Sequence, residues 1–325
     1  MRPAFRIVVD GEDRTAIIAD RLLSLVVTDE DGSKADRVEI ELDNRDGRIA
    51  FPELEARLEV SLGFAGAPLA LMGVYAVDGV SGRGPLRTLG ITATAADLKG
   101  DIRAPRTRSW IDKLLPDIVS TIANEAGLKP VTGESLRGIG WPFLAQTAES
   151  NLHFLTRIAG ELDATCKPAG GALIVQRRGE GKTAAGDALT PPRIGLPRLT
   201  EWTWSFNGRS TYRSAEAEWT ETGSGITHKL RVGSGKPLKK IRHAFASKTE
   251  ASRAASAALR RAGRAALEIG CTLSGFEPGL LGGASVLLEG LEPELNGEWH
   301  LKSVCHRLDA GGLVTEFQGE KAKDE

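Results

Sequence analysis

Alternation with a period of two dominates the first hundred residues. In Arg21–Arg48, Val38, Ile40 and Leu42 fall on one side of an extended chain, and Arg37, Glu39, Glu41 and Asp43 fall on the other. That is the mark of an antiparallel strand with one buried and one wet face. Leu22–Val27 forms the apolar run before it, and Asp31-Gly32 and Asp46-Gly47 supply turns. Phe5, Ile7 and Val9 alternate up to Asp10-Gly11. Ala56–Phe64 then carries Leu58, Val60 and Leu62 on one face, and Leu71–Val77 and Leu86–Ala93 keep the rhythm, with breaks at Ala65–Pro68 and Ser81–Pro85. Short strands with tight connections predict a small barrel over residues 1–98.

The pattern then changes. Asp97–Arg108 is polar and interrupted by proline, which predicts a linker and a domain boundary near Lys99. Two helices follow. Ile118, Val119, Ile122, Ala123 and Ala126 keep a 3.6-residue period between Pro116 and a stop at Gly127. A second stripe of Leu152, Leu155, Ile158, Ala159 and Leu162 runs from Thr147, the expected N-cap, to Asp163. Ala172–Gln176 reads as a strand after Gly170-Gly171, and the aperiodic stretch 177–197 as a loop. Residues 99–197 thus form an α/β middle domain.

From Arg198 the strands return, at Glu201–Phe206, Tyr212–Thr220, His228–Val232, around Leu273, at Ser285–Leu288 and at Trp299–His306. Asn296-Gly297 signals a two-residue turn. A helix over Lys248–Glu268, capped by Ser247 or Thr249, interrupts them with a shallow alanine face, and Arg253, Arg260, Arg261 and Arg264 are expected to project into solvent. The end Glu320–Glu325 is expected to fray. The class is α+β, mainly β, with β-rich 1–98 and 198–325 on either side of the α/β middle.

Charge removes several functions. The 325 residues carry a formal net charge of -1 with both signs interspersed, which argues against a dedicated nucleic-acid binder or a polybasic membrane-surface protein. Cys166, Cys271 and Cys305 are odd in number and far apart, and read as buried thiols in a reducing compartment. No apolar window suits a signal peptide or a bilayer span, so synthesis in the cytosol is expected.

Candidate chemistry fails on spacing. Asp29–Ser33 places its glycine too early for a calcium loop. Gly179–Thr183 resembles the end of a phosphate-binding loop, but Gln176 stands where the first glycine is needed and no helix follows. Cys305 and His306 are adjacent in a strand and point to opposite faces. Glu149, Glu161, Asp163 and Glu201 can be paired on paper for glycoside hydrolysis, but with 43 acidic residues such pairs arise by coincidence. Arg103, Arg106 and Arg108 beside Trp110 are expected to pair with acids across a domain or subunit junction. No catalytic, cofactor-binding or metal-binding residue is assigned.

Several stretches together resemble a known family. LVVTDEDGSKADRVEIELDNRDGR at Leu25–Arg48, MGVYAVD at Met72–Asp78, AADLKGDIRAPRTRSW at Ala95–Trp110, QTAESNLHFLTRIA at Gln146–Ala159, DATCKPAGG at Asp163–Gly171 and the ending Gly297–Thr315 follow the phage late control protein D family in order. That family is similar to the hub part of the VgrG spike proteins of type VI secretion. The resemblance implies two similar small β-barrels, flanking and joined by the middle domain, in a homotrimer whose ring adapts a sixfold tail tube to a threefold spike. It implies a non-enzymatic baseplate hub of a contractile phage tail or tailocin, a virion component assembled in the host cytoplasm. The implied partners are a separate spike protein, tube and baseplate wedge proteins and a tape-measure protein, with DNA passing through the channel. The competing readings are a peptidoglycan-degrading tail enzyme, a middle domain that holds cell wall, and a hub of a type VI secretion-like system.

Overall fold

The computed structural model describes residues 1–32, 35–95, 102, 104–169, 171–178, 190–206, 212–221, 223–264 and 267–321. The first region contains β1 (Pro3–Val9), β2 (Glu12–Asp13), α1 (Thr15–Ile18), β3 (Leu22–Glu30), β4 (Arg37–Asp43), β5 (Arg57–Phe64), β6 (Ala70–Arg83) and β7 (Thr88–Ala95). Val38, Ile40 and Leu42 are all buried, as alternation requires, and they pack with Leu25, Val60, Leu62 and Val77. The expected break at Ser81–Pro85 comes later than the pattern suggests, because β6 continues to Arg83.

The middle module contains β8 (Pro105–Leu114), α2 (Leu115–Glu125), β9 (Lys129–Thr132), β10 (Gly140–Ser150), α3 (Asn151–Glu161), β11 (Ala164–Ala169) and β12 (Ala172–Arg177). The expected linker ends sooner than Arg108, since β8 starts at Pro105 and pairs along β10. Pro116 sits in the first turn of α2, and Gly127 follows the helix at φ +69°, which a side chain would resist. The N-cap of α3 is Ser150 rather than Thr147. Strand β10 carries the chain past Thr147, and the Ser150 hydroxyl accepts the His153 N–H at 3.1 Å. The two helices bury Ile118, Ile122, Phe154 and Ile158 in one core with Trp110 and Trp141.

The last region contains β13 (Arg193–Gly195), β14 (Leu199–Phe206), β15 (Ser214–Thr220), β16 (Thr227–Gly233), β17 (Leu238–Phe245), α4 (Lys248–Arg264), β18 (Leu267–Leu273), β19 (Ser285–Glu289), β20 (Gly297–Asp309) and β21 (Gly312–Lys321). Helix α4 is shorter than the expected 248–268, because β18 begins at Leu267. Ser247 caps it, accepting the Glu250 N–H at 3.2 Å while its hydroxyl donates to the Glu250 carboxylate at 2.9 Å. Asn296-Gly297 does not close a two-residue hairpin. β19 ends at Glu289, and the Asn296 side chain instead ties back to Leu291 through both its oxygen and its nitrogen. Glu320 is no frayed end either; it lies in β21, buried, beside Arg264.

The two β-rich ends do not form separate sheets. β3 pairs with β20 from Ser24↔Asp309 to Glu30↔Ser303, so one sheet of thirteen strands runs β14-β18-β21-β20-β3-β4-β7-β6-β5-β1-β2, with β19 and β13 branching from β20. Its ends do not meet, and none of the described sheets closes into a barrel. Leu308 and Leu313 of the last region complete the first region's core. The expected pair of closed barrels gives way to a shared open sheet because pairing partners far apart in the chain leave no trace in local periodicity.

Candidate functional site

One face of this long sheet stays polar across both regions. Glu201 stands opposite Thr272, Thr272 opposite Glu316, Glu316 opposite Cys305, and Cys305 opposite Thr28. The next row runs Arg307, Val26, Glu39, Thr92 and Gly79, and the row after it Asp309, Ser24, Glu41, Gly90 and Ser81. The alternate residues, among them Val304, Phe317, Leu25, Ile40 and Ile91, enter the cores. Period-two geometry thus turns eight strands into one wall rich in hydroxyls and glycines with a few charges. Arg307 and Glu316 pair at 3.6 Å and Arg37 and Glu39 at 3.2 Å. Such a surface offers a passing chain few apolar footholds.

The middle module is fastened to the sheet by buried ions. Lys167 of β11 contacts Asp29, meets Asp36 Oδ1 at 3.0 Å and donates to the Glu30 carbonyl at 2.8 Å, using all three ammonium hydrogens on the β3–β4 end. Arg178 binds Asp31 beside it. Burial lifts the Asp29 carboxyl above the usual range against the pull of Lys167. Desolvation works against the Lys167 ammonium as well, but Asp29 and Asp36 outweigh it and hold the lysine charged. A second fastening comes from α4. Arg264 binds Asp163 and meets Glu320 at 3.3 Å, and Arg253 donates to the Gly140 carbonyl at 3.2 Å with its guanidinium over Trp141. The arginines expected to project into solvent are thus largely turned toward the middle module.

The residues weighed as chemistry fall into structural roles. Arg106 and Arg108 both bind Glu125, at 3.3 and 2.6 Å, and Arg108 also reaches Gln146, Asn151 and the face of Trp110. Partial burial pushes Glu125 up, but hydrogen bonds from Arg108 and Asn151 outweigh it and hold the carboxyl below its ordinary value. This network lies inside the middle module, not across a junction; Arg103 and Gly179–Thr183 lie outside the described residues. Glu149 is held by Arg157 at 2.9 Å, Glu161 lies 3.8 Å from the same arginine, and Asp163 is occupied by Arg264.

Cys305 is half-buried on the polar face, while Cys166 and Cys271 are buried, their thiols pushed up to about 12 by desolvation. His306 points the other way from Cys305, with Nδ1 3.0 Å from the Thr315 hydroxyl and its ring edge against Phe276. It packs apart from Trp299, whose indole N–H donates to the Leu295 carbonyl at 2.8 Å in a different core. Among the described residues no three His, Cys, Asp or Glu side chains are disposed to hold a metal ion, and no helix is long and apolar enough to cross a membrane.

No protein-family model matches the chain. It is 29% identical over 364 aligned positions to a probable baseplate hub protein of Escherichia phage 186, across 98% of this chain and 93% of that protein. A probable baseplate hub protein of Escherichia phage P2 is 33% identical over 222 positions, 68% of this chain and 57% of that protein. The chain is a relative of these baseplate hub proteins. The same fold recurs in a tail protein from Neisseria meningitidis at TM-score 0.72 and 12% identity, covering 99% of this chain and 97% of that one. It recurs in a 43 kDa prophage tail protein from Shewanella oneidensis at TM-score 0.71 and 13% identity, over 98% of both chains. An Escherichia coli component of the type VI secretion system shares it at TM-score 0.56 and 11% identity, over 98% of this chain and 76% of that one. At such identities the likeness of this chain to these three structures is one of architecture.

Proposed function

We propose that this chain is the structural hub of a contractile-tail baseplate. The observation that carries the reading is its alignment, end to end, with the probable hub protein of phage 186. The polar wall shared by both β regions supports it, because a conduit needs a lining that a moving polymer does not stick to. Three copies form a ring that joins a sixfold tube to a threefold spike, with the first and last regions of each chain as paired, barrel-like ring segments. Residues 1–98, 99–197 and 198–325 are its three domains.

The hub works without catalysis, as an adapter between the spike, the tube and the wedge proteins, in a particle assembled in the host cytoplasm. The tape-measure protein meets it in the channel, and DNA passes through without sequence readout. The mixed charges of the wall suit such passage.

The test is the mass of the purified full chain by light scattering, followed by particle imaging with tube and spike proteins. Trimeric rings between tube and spike are the expected result. A monomer that forms no ring with either partner sinks the reading. Clearing of a peptidoglycan gel by the purified chain would put the tail-enzyme reading in its place.

A further inference from the structure

A nearly neutral chain hides a strong division of charge. Residues 222–264 hold eleven lysines and arginines and a single acid, Glu250, whereas residues 1–98 hold seventeen acids and eleven bases. Within that stretch lie β16, β17 and α4; β16 and β17 flank β15 in a three-stranded flap that the chain inserts between β14 and β18. Helix α4 covers one side of the flap, packing Ala251, Ala254 and Ala255 on Ala215, Ala217 and Phe245. The other side faces solvent and carries Lys229, Lys240 and Arg242.

In the first region, the chain entering β5 makes a knob. Phe51 and Leu54 are 69% and 64% exposed, and Glu53 and Glu55 stand exposed beside them. An apolar centre with a charged rim is the anatomy of a protein interface. The knob lies in the first region beside β1 and β4, whereas the flap packs on α4, which is fastened to the middle module, so the two are different surfaces. Complementary but different surfaces on one chain make a head-to-tail contact, the kind that closes rings.

The flap suits a protein partner better than a nucleic acid. Its central strand sets Glu216 and Glu218 among the bases, with Glu218 3.7 Å from Lys229 and Glu216 3.9 Å from Lys240. A phosphate backbone laid across it would meet those carboxylates. An acidic protein rim with an apolar centre can step between them.

We propose that the Phe51–Glu55 knob of one copy seats on the basic outer face of the flap of the next copy, and that this contact closes the ring. The proposal rests on the hub reading and adds to it the surfaces that meet. Three variants of the full chain test it by sedimentation velocity over a concentration series: Lys229→Glu with Lys240→Glu and Arg242→Glu; Glu53→Lys with Glu55→Lys; and all five together. Either partial set weakens assembly roughly tenfold or more at about 0.1 M salt, and the five-substitution chain regains most of it. Phe51→Ser with Leu54→Ser weakens it without any change of charge. All these side chains are exposed, so the circular dichroism melt stays that of the wild type.

Wild-type assembly that none of the variants disturbs overturns the docking and leaves the hub reading standing. A five-substitution chain as weak as the worse partial set overturns it too. A wild type that stays monomeric at every concentration removes both. Duplex DNA retained by the wild type and lost by the flap variant, with assembly unchanged, reassigns the flap to phosphate binding and overturns the docking.

Discussion

The first β region fills its core with aliphatic side chains such as Val38, Val60 and Leu62, whereas the last is built around Trp299, Phe317 and the Cys271 thiol. The first is contiguous in sequence. The last is split, with β14 and β18 paired directly although the flap and α4 lie between them in the chain. Yet both belong to one sheet, and Leu308 and Leu313 of the last region pack in the core of the first. Regions that look independent by sequence are expected to unfold together when they share strands and core.

Trp299→Ala is the sharpest way to break that expectation. It empties the larger ring from the last core and costs about 4 kcal/mol. Fluorescence and circular dichroism should still report one coincident denaturant transition; two transitions would separate the regions. Lys167→Ala should cost about 3 kcal/mol by leaving Asp29 buried beside Asp36 without its cation. Hydrogen exchange should then rise in β11 and in the β3–β4 end, and less elsewhere.

A third test separates the halves by pH. Burial holds His306 down at about 4 from an ordinary value of 6.5. The unfolded chain therefore takes up a proton that the folded one refuses, and stability falls as pH drops from 6.5 toward 4, by about 3 kcal/mol at the lower end. His306→Phe should flatten that slope in urea titrations at stepped pH. Gly282→Ala comes next, at about 2 kcal/mol, because a Cβ there would lie 2.6 Å from the Asp29 carbonyl oxygen in β3. Smallest is Arg6→Ala, which frees the exposed Asp13 and should leave the urea midpoint at the wild-type value.

Sequence made the strands of the first region legible because each has one wet face, so Val38, Ile40 and Leu42 announce their side by alternating with charges. It also made α4 legible, through its alanine stripe and the Ser247 cap. What it hid was partnership. Nothing near Thr28 says that it stands beside Cys305, and nothing near Arg108 names Glu125, Gln146 and Asn151 as its partners. The acids around Gly32 stand out as a cluster in the sequence; their cations, Lys167 and Arg178, arrive from more than a hundred residues away. The shift of the α3 cap from Thr147 to Ser150 has a local cause, since β10 runs on to Ser150 and puts Thr147 in a bulge between the paired Gln146 and Glu149 before the helix can start. The polar wall emerges only when both halves are laid edge to edge.

The seam between β3 and β20 also sets a schedule. β3 ends at Glu30 and β20 begins at Gly297, so at about 5–20 residues per second a ribosome leaves that edge of β3 waiting on the order of tens of seconds for its mate. During that interval an unpaired strand rich in leucine and valine is open to neighbouring nascent chains. A helper that shields nascent chains, or relocation of the β20–β21 hairpin to the front of the gene, should each raise the yield of properly formed protein.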